Sequence, residues 1–342
     1  MMRKIRVLIV DDSIVFQKLM LDSLKDDSAI EVVATACDAY GARDAILQFH
    51  PDVMTLDIEM PRMNGIEFLR RLLPQYPIPT VMVSALDSKV FDALEAGAVD
   101  FVNKPVGMNQ EQARKYLKKE LGIKLKIAST VKVSHMKMRN SGTIQVPCYK
   151  KEGDYVIAIG ASTGGTEAIL EVIRKFRKDI PGVVVVQHMP PGFTAMYAKR
   201  LNDICEVTVK EAKTGDRVLS GQVLIAPGDA HMKLVRVGRG YQVECAKGEK
   251  VSGHCPSVDV LFESVAKAAG KKSIGVILTG MGKDGADGLL AMRKAGAHTI
   301  GQDEKSCIVY GMPKVAYEIG AVEMQANVTN IGQKVYQVLA TL

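Results

Sequence analysis

Several ionisable and hydroxyl side chains follow short apolar runs in the first third of the chain. These residues are Asp11, Asp12, Asp57, Ser84 and Lys104. In an open parallel sheet, the carboxyl ends of the strands form the edge at which ligands bind. Three carboxylates on that edge would repel one another, and Mg²⁺ would relieve the repulsion because it prefers oxygen ligands. The pattern therefore predicts a metal-assisted reaction at a carboxylate.

Asp57 is the candidate nucleophile of this group. A carboxylate beside Mg²⁺ can attack a phosphoryl donor, and a lysine and a hydroxyl can then hold the oxygens of the aspartyl phosphate. Lys104 and Ser84 fit these two roles. A simpler interpretation is that Asp11 and Asp12 only cap the first helix and that Lys104 is a surface charge.

A second group of candidate reactive residues begins with Ser162, the serine of a G-x-S-x-G pattern at residues 160–164. This pattern exposes a nucleophilic hydroxyl in some serine hydrolases, but a glycine-rich turn before a helix can also cradle the phosphates of a nucleotide. The next apolar run distinguishes the two, because a dinucleotide fold expects an acid at its end. It ends instead in Gln187 and His188. This disfavours a nucleotide-dependent oxidoreductase.

A serine nucleophile needs a base and a carboxylate that orients the base. His188 is the candidate base, and Asp284, which follows the apolar run Ile274–Leu278, is preferred over Asp287 as the carboxylate. A single histidine is more often structural than catalytic. Here, however, all three candidates follow apolar runs and could converge on one edge of one sheet.

The elements that would position these residues alternate between strand-like and helix-like patterns. Five such pairs between Ile5 and about Gly122 predict a parallel sheet covered on both faces. The alternation resumes after Asp154 and predicts a second α/β domain, doubly wound and mostly parallel, with a β-hairpin within Val223–Val243 that would make the sheet mixed. We predict three-layer αβα domains at residues 1–122 and 153–342, joined by a basic linker at 123–152.

Composition narrows the class of protein. Of the 342 residues, 47% are hydrophobic and 24% charged, as in globular proteins, and no apolar run approaches the roughly 18 residues of a membrane span. Six scattered cysteines without C-x-x-C spacing favour a reduced, cytoplasmic setting. The net charge of +7 is concentrated between residues 114 and 151. This basic segment predicts a solvated tether, with attraction to an anionic membrane surface as the alternative.

The first third of the chain resembles the response-regulator receiver domain, which is flavodoxin-like. The matching motifs are VDDS at 10–13, TLDIEMPRMNG at 55–65, SA at 84–85 and DFVNKP at 100–105. The resemblance implies that a histidine kinase phosphorylates Asp57. It also implies that Asp11, Asp12, Asp57 and the backbone carbonyl of Glu59 hold Mg²⁺. Ser84 and Phe101 would be the switch pair that reports phosphorylation, beside Lys104.

The rest of the chain resembles the catalytic domain of bacterial chemotaxis protein-glutamate methylesterases. The matching motifs are GASTGGTEA, QHMPPGFT, IAPGDAHM, CPSVDVLFESVA, LTGMGKDGADGL and GQDEKSCIVYGMPKVA. The resemblance implies hydrolysis of glutamyl methyl esters on chemoreceptor helices, with release of methanol, and deamidation of receptor glutamines. Ser162 would attack, His188 would carry the proton, Asp284 would orient His188, and the Met281 N–H would be an oxyanion donor. Lys283 stands where the family commonly has a smaller polar residue.

Other functions fit less well. A receiver is often joined to a DNA-binding domain, but such a domain should show a helix-turn-helix with a basic recognition helix, and the basic charges here lie in the linker. We therefore expect no nucleic-acid partner, and membrane proximity only through receptors. His231, His254 and Cys255 match no usual zinc spacing. We predict Mg²⁺ in the first domain and no cofactor in the second.

Overall fold

The computed structural model describes residues 3–85, 88–131 and 155–341. The chain divides into two compact units, residues 1–138 and 139–342. The predicted linker lies mostly outside the described residues, although the last helix of the first unit continues into it as far as Ala128. Within the described ranges, no helix combines the length and apolar character required to span a membrane.

Within the described residues, the first unit is a five-stranded sheet flanked by five helices. In chain order its elements are β1 (Ile5–Val10), α1 (Ile14–Leu24), β2 (Ile30–Ala36), α2 (Ala39–Phe49), β3 (Val53–Leu56), α3 (Gly65–Leu72), β4 (Thr80–Ser84), α4 (Lys89–Glu95), β5 (Asp100–Asn103) and α5 (Gln110–Ala128). The strand order is β2-β1-β3-β4-β5, and every pair is parallel. Every residue of β3 and β4 is buried, as expected of parallel strands covered on both faces.

Helix caps explain why α1 begins at Ile14. The Ser13 hydroxyl accepts a hydrogen bond from the Phe16 N–H, the usual N-cap arrangement. Asp11 accepts a hydrogen bond from the Ser13 N–H at 2.9 Å. The simpler interpretation of the acids as helix caps is therefore wrong for the cap position itself, which belongs to Ser13.

The second unit contains a seven-stranded sheet, a separate hairpin and six α-helices within the described residues. Its elements are β6 (Val156–Ala161), α6 (Gly165–Ile173), β7 (Gly182–Gln187), α7 (Phe193–Ile204), β8 (Thr208–Glu211), β9 (Gln222–Ile225), β10 (His231–Val237), β11 (Gly240–Ala246), α8 (Val258–Ala268), β12 (Ser273–Ile277), α9 (Ala286–Lys294), β13 (His298–Gln302), α10 (Met312–Glu318), β14 (Met324–Ala326) and α11 (Val328–Thr341). The strand order is β14-β13-β12-β6-β7-β9-β8.

The pairing within this sheet corrects one expectation. All six described strand pairs are parallel, so the large sheet is not mixed. The predicted hairpin exists, but β10 and β11 form their own two-stranded antiparallel sheet. Gly238 at its turn has a positive φ of 60°, which suits the tight turn of a hairpin. The predicted fold class, two α/β units with the second mostly parallel, is confirmed.

The strand order also locates a binding crevice. The chain moves from β6 to β7 on one side and returns to β12 on the other side of β6. In open α/β sheets, ligands bind beyond the carboxyl ends of the strands where the order reverses in this way. The loops after β6, β7 and β12 surround this position, and they carry Ser162, His188 and Asp284.

Candidate active site

The first unit brings Asp11, Asp57 and Lys104 together at the carboxyl edge of its sheet. The Lys104 ammonium lies 2.7 Å from a carboxylate oxygen of Asp57 and 2.9 Å from one of Asp11. Both acids are buried, whereas Asp12 is exposed. Carboxylate oxygens of Asp11, Asp12 and Asp57 lie within 4.8 Å of one another. This donor set fits a hard divalent cation, which takes oxygen ligands.

The electrostatics of Asp57 reflect a crowded acidic site. Burial raises the pKa of Asp57, and the neighbouring charge of Asp11 acts in the same direction, while Lys104 opposes both. Burial alone would lower the pKa of Lys104, but its bonds to Asp57 and Asp11 outweigh burial and raise it. One cation thus serves two buried acids, and the site has a deficit of positive charge that a metal ion could supply.

The loop after Asp57 is shaped by a glycine whose role the sequence analysis did not assign. A Cβ built on Gly65 would lie 2.0 Å from the carbonyl oxygen of Asp57, so no larger residue fits without moving this backbone. The Glu59 side chain is exposed and pairs with Lys89 at 3.2 Å. These two residues, together with Asp12 and Asn64, line a cavity of about 530 Å³ beside the acids.

The predicted switch residues lie on adjacent strands. Ser84 ends β4 and Phe101 lies in β5, and both are buried. The backbone N–H of Lys104 donates to the carbonyl of Ser84 at 2.7 Å, which ties Ser84 to the acidic site. Lys124 lies over the Phe101 ring at 5.1 Å from its centroid and pairs with Asp100 at 2.7 Å. Lys124 therefore connects α5 to the strand that carries Phe101. The sequence motifs did not indicate this long-range contact.

In the second unit, Ser162 and His188 are placed side by side by the sheet. Ala161 and Gln187 are partners in the register of β6 and β7, and each reactive residue follows one of them. The ladder continues one step further, because the His188 N–H donates to the carbonyl of Ala161 at 3.1 Å. The side-chain amide of the buried Gln187 donates to the carbonyls of Ser162 and His188 at 2.9 Å and 3.1 Å.

The His188 ring is oriented by Asp284. Nε2 of His188 lies 2.7 Å from Oδ2 of Asp284, and both side chains are almost fully buried. Nδ1 of His188 has no hydrogen-bond partner among the described residues. Asp287 is exposed in α9, so of the two acids considered, Asp284 is the one that reaches the imidazole.

Asp284 is held by the start of α8. Its carboxylate accepts hydrogen bonds from the Ser257 hydroxyl at 2.7 Å and from the N–H groups of Val258 and Asp259 at 2.7 Å and 3.1 Å. Burial alone would raise the pKa of Asp284, but the bond to His188 and these donors hold it well below its usual range. Asp284 is therefore ionised, and it accepts the hydrogen bond from the His188 Nε2–H. The N-terminus of a helix favours such a charge.

Two further residues support this arrangement and were not assigned from the sequence. Ser257 caps α8 through its hydroxyl, and its own N–H donates to Nδ1 of the buried His231 at 3.2 Å. His254 lies parallel to His188, with ring centroids 3.7 Å apart and planes 9° from parallel. A serine before a helix is a readable capping signal, whereas the stacking of His254 comes from tertiary structure.

The loop after β12 approaches Ser162 closely. The Ser162 N–H donates to the carbonyl of Thr279 at 3.0 Å, and a Cβ built on Gly280 would lie 2.7 Å from the Cβ of Ser162. The next residue, Met281, is exposed, and no hydrogen bond in the described part of the chain uses its N–H. Lys283 is also exposed in this loop. No hydrogen bond joins Ser162 to His188 within the described ranges.

Comparison with known proteins identifies the family. The family model described as CheB methylesterase matches residues 157–335, more than half of the chain. The chain belongs to the CheB methylesterase family. A second model, described as the response regulator receiver domain, matches residues 7–117. The resemblance inferred from the motifs, a receiver followed by a methylesterase domain, is thus confirmed.

Relatives of this CheB methylesterase extend over nearly its whole length. A protein-glutamate methylesterase/protein-glutamine glutaminase 2 from Syntrophomonas wolfei is 59% identical over 343 residues, covering 100% of this chain and 99% of the relative. A protein-glutamate methylesterase/protein-glutamine glutaminase from Salmonella typhimurium is 48% identical, covering 97% and 96%. The crystal structure of the Thermotoga maritima CheB methylesterase catalytic domain aligns with a TM-score of 0.53 and 39% identity, covering 55% of this chain and 100% of that domain.

Proposed function

We propose that this CheB methylesterase is a serine hydrolase that removes methyl esters from glutamate side chains of chemoreceptors and is regulated by phosphorylation of Asp57. Its relatives are protein-glutamate methylesterase/protein-glutamine glutaminases, which supports both hydrolysis of the glutamate methyl ester and deamidation of glutamine. The receiver match supports the regulation. Ser162, His188 and Asp284 are the residues that we assign to the chemistry.

One observation carries the assignment. His188 uses Nε2 to bind Asp284, and its buried Nδ1 has no partner among the residues that the structure describes, while Ser162 follows the neighbouring strand in register. A base needs one nitrogen held by a carboxylate and the other directed to the nucleophile. Nδ1 is therefore the nitrogen that we assign as the proton acceptor. The bond to Ser162 would form when substrate is bound, since catalytic hydrogen bonds are often loose without substrate.

Acylation would proceed as follows. Oγ of Ser162 attacks the ester carbonyl carbon while its proton moves to Nδ1 of His188. The negative charge on the carbonyl oxygen is met by the N–H of Met281, which lacks another acceptor among the described residues. The tetrahedral species then collapses, the carbon–oxygen bond to methoxide breaks, and His188 protonates the leaving group to give methanol.

Deacylation repeats these steps with water. Nδ1 of His188 takes a proton from water as its oxygen attacks the acyl-serine, and the Ser162 oxygen leaves with that proton. Glutamate is released. With a glutamine substrate the first leaving group is ammonia, so the same residues would perform the deamidation. Asp284 accepts from the Nε2–H throughout and stabilises the imidazolium that forms in each half.

In the receiver, we assign the Asp57 carboxylate as the phosphoryl acceptor. Asp11, Asp12, Asp57 and the backbone carbonyl of Glu59 would hold Mg²⁺, which when bound neutralises charge on the phosphoryl oxygens. Lys104 already pairs with Asp57 at 2.7 Å and would follow the charge onto the phosphoryl group. The Ser84 hydroxyl, buried at the end of β4, would donate a hydrogen bond to a phosphoryl oxygen, and Phe101 would respond as its switch partner.

The partners follow from these two reactions. The phosphodonor is a chemotaxis histidine kinase, and the substrate is the methylated cytoplasmic helices of chemoreceptors. We accordingly assign the protein to the cytoplasm, close to the membrane only through its receptors. We assign it no nucleic-acid partner and no cofactor in the second unit.

The proposal is tested by measuring methanol release from methylated receptor membranes. Wild type, Ser162→Ala and Asp57→Asn are compared with and without a small phosphodonor plus Mg²⁺. Wild type should release methanol faster with the phosphodonor, Ser162→Ala should be at least about 10⁴-fold slower, and Asp57→Asn should keep the basal rate without stimulation.

Ser220→Ala is the matched control, because this exposed serine donates to the carbonyl of Ile180 at the amino ends of β7 and β9, opposite the carboxyl ends that carry Ser162 and His188. It should behave as wild type. Release of methanol by Ser162→Ala at the wild-type rate would overturn the nucleophile. Normal stimulation of Asp57→Asn would overturn the phosphorylation site alone. Ammonia release from receptors carrying glutamine tests deamidation separately.

A further inference from the structure

The stacked ring of His254 has no place in a three-residue catalytic site. Its plane is 9° from that of His188 and the ring centroids are 3.7 Å apart. The bond from Nε2 to Asp284 fixes one edge of the His188 ring but leaves it free to rock about that bond. A flat ring against its face opposes this motion. The arrangement therefore restrains the direction in which Nδ1 points.

The turn that carries His254 is tightly held. The N–H and carbonyl groups of Val251 and His254 bond to each other at 3.0 Å and 2.9 Å. The two residues between them, Ser252 and Gly253, have positive φ values of 52° and 85°. A non-glycine residue in this region carries backbone strain, which persists only where the surroundings enforce it.

The enforcing contact leads back to Asp284. The Ser252 hydroxyl lies 3.2 Å from Oδ2 of Asp259, whose own N–H donates to Asp284. The other oxygen of Asp259 accepts from the Gly288 N–H at 2.8 Å. Asp259 thus couples the His254 turn, the start of α8 and the start of α9. The turn that carries the stacked ring of His254 and the carboxylate of Asp284 are therefore both hydrogen-bonded to Asp259.

We propose that His254 is a positioning residue for the esterase reaction, whose neutral ring fixes the plane of His188 so that Nδ1 faces Ser162. This inference rests on the proposed function. A neutral aromatic face also tolerates the positive charge that His188 acquires when it accepts a proton. A charged His254 would instead repel it.

The surroundings of His254 keep its ring neutral. Burial lowers the pKa of His254 to about 4, and the neighbouring His188 and Lys250 act in the same direction, while Asp284 opposes them. At the pH values at which an ester hydrolase with a histidine base works, His254 is therefore an uncharged aromatic ring. The required feature is flatness, and the ring nitrogens are dispensable.

Two substitutions separate flatness from bulk. His254→Phe keeps a flat ring that cannot be charged, and His254→Leu fills the space without a plane. We expect His254→Leu to lower kcat about 10-fold with less than a 2-fold change in KM, because misdirected groups mainly slow the chemical step. His254→Phe should retain kcat within about 3-fold. The matched controls are His298→Phe and His298→Leu, at a partly exposed histidine paired with Glu323.

A spectroscopic readout distinguishes positioning from general support of the fold. The Nε2–H proton of His188, observed by NMR with labelled histidine, should stay sharp in wild type and His254→Phe and broaden in His254→Leu. Thermal unfolding of each variant reports whether the fold is retained.

The outcomes separate this inference from the proposed function. Absence of methanol release by wild type would overturn the proposed function, and the NMR comparison would still test the restraint of His188. An active wild type with His254→Leu at the same kcat and with the same line width would overturn the inference alone. A folded His254→Phe as slow as His254→Leu would also overturn it, because a nitrogen of His254 would then be required.

Discussion

Asp57 and Asp284 are both buried carboxylates beyond the carboxyl end of a parallel strand, yet their surroundings differ. Asp57 shares Lys104 with Asp11, and among the described residues its one backbone donor, the Glu59 N–H, lies at 3.4 Å. Asp284 has His188, a hydroxyl and two backbone N–H groups within 3.1 Å. The pKa of Asp57 is raised and that of Asp284 is lowered.

These surroundings suit the two different roles that we propose for the two carboxylates. A carboxylate with few donors keeps its lone pairs for a metal ion or for attack on phosphorus. A carboxylate saturated with donors is a poor nucleophile and a well-fixed acceptor. The number of neighbouring N–H and O–H groups therefore predicts the role better than burial does, since both side chains are buried.

The largest effect should come from a substitution of Asp284, the carboxylate that is surrounded by hydrogen-bond donors. Asp284→Asn places an amide where three donors converge besides His188, and it permits the wrong tautomer of the imidazole. We expect kcat to fall about 10⁴-fold, the scale known for this change in a serine protease triad. Methanol release under saturating substrate measures it. A loss below 10-fold in a folded variant would show that Asp284 does not orient His188.

The next largest effect should come from removing Lys104, the cation that pairs with both Asp57 and Asp11. Lys104→Met leaves Asp11 and Asp57 buried without it, and we expect the free energy of unfolding of this unit to fall by about 2–3 kcal/mol, below the usual range for a broken buried pair because Lys104 is 22% exposed. Mg²⁺ should restore part of the loss. Denaturant unfolding with and without Mg²⁺ provides the measurement.

Lys115→Met is the control for this experiment. Lys115 pairs with Glu111 on the surface of α5 at 2.7 Å, and exposed pairs contribute about 0–1 kcal/mol. If both lysine variants lose the same free energy of unfolding, or if Mg²⁺ does not stabilise Lys104→Met, the acids Asp11 and Asp57 do not have the deficit of positive charge that we infer.

A smaller effect concerns Asp259, the neighbour of Asp284. Burial and the charge of Asp284 raise the pKa of Asp259 to about 6 from 3.8. Between these two pKa values, the folded state therefore holds a proton that the unfolded state has lost. The stabilisation is present below pH 4 and disappears as the pH rises through about 6.

Asp259→Asn should flatten this pH dependence. The asparagine can still accept from the Gly288 N–H, so we expect the variant to be about 1–2 kcal/mol more stable than wild type at pH 7 and nearly equal to it at pH 4. Urea unfolding at both pH values checks this. A variant that is less stable at both would show that the negative charge itself is required.

The smallest effect should come from Asp57→Asn, which should change the free energy of unfolding in the direction opposite to Asp284→Asn. Because burial raises the pKa of Asp57 in the folded state, carrying the negative charge at neutral pH costs the folded state free energy relative to the unfolded state. Asp57→Asn should modestly increase the free energy of unfolding at neutral pH without Mg²⁺, whereas Asp284→Asn should decrease it. Thermal unfolding of the two variants in parallel measures both changes, and a lower unfolding temperature for Asp57→Asn than for wild type would contradict the prediction.

Sequence patterns predict most of what the parallel strands position. Ser162, His188, Asp57 and Lys104 each follow a strand, and parallel strands end along one edge, so their convergence needs no tertiary information. The donors to Asp284 come from Ser257 and the start of α8, 25 to 27 residues away, and no local pattern encodes that approach.

The same limit explains the two surprises. The stack of His254 on His188 depends on how a turn packs against α8. The hairpin of β10 and β11 is separate from the main sheet, and its strand β10 packs against the same helix. Periodicity reports the existence of such elements and says little about their partners. The predicted domain boundaries and the roles of the site residues stay predictions.

The bond from the His188 N–H to the carbonyl of Ala161 also has a dynamic consequence. It makes His188, the proposed base, an extension of the central β6–β7 ladder, whose residues from Val156 to Ala161 and from Gly182 to Gln187 are buried. In hydrogen–deuterium exchange, this amide should exchange only when the whole unit opens. Heat inactivation of the esterase should then coincide with global unfolding of the unit, with no earlier loss through loosening of the active-site loops.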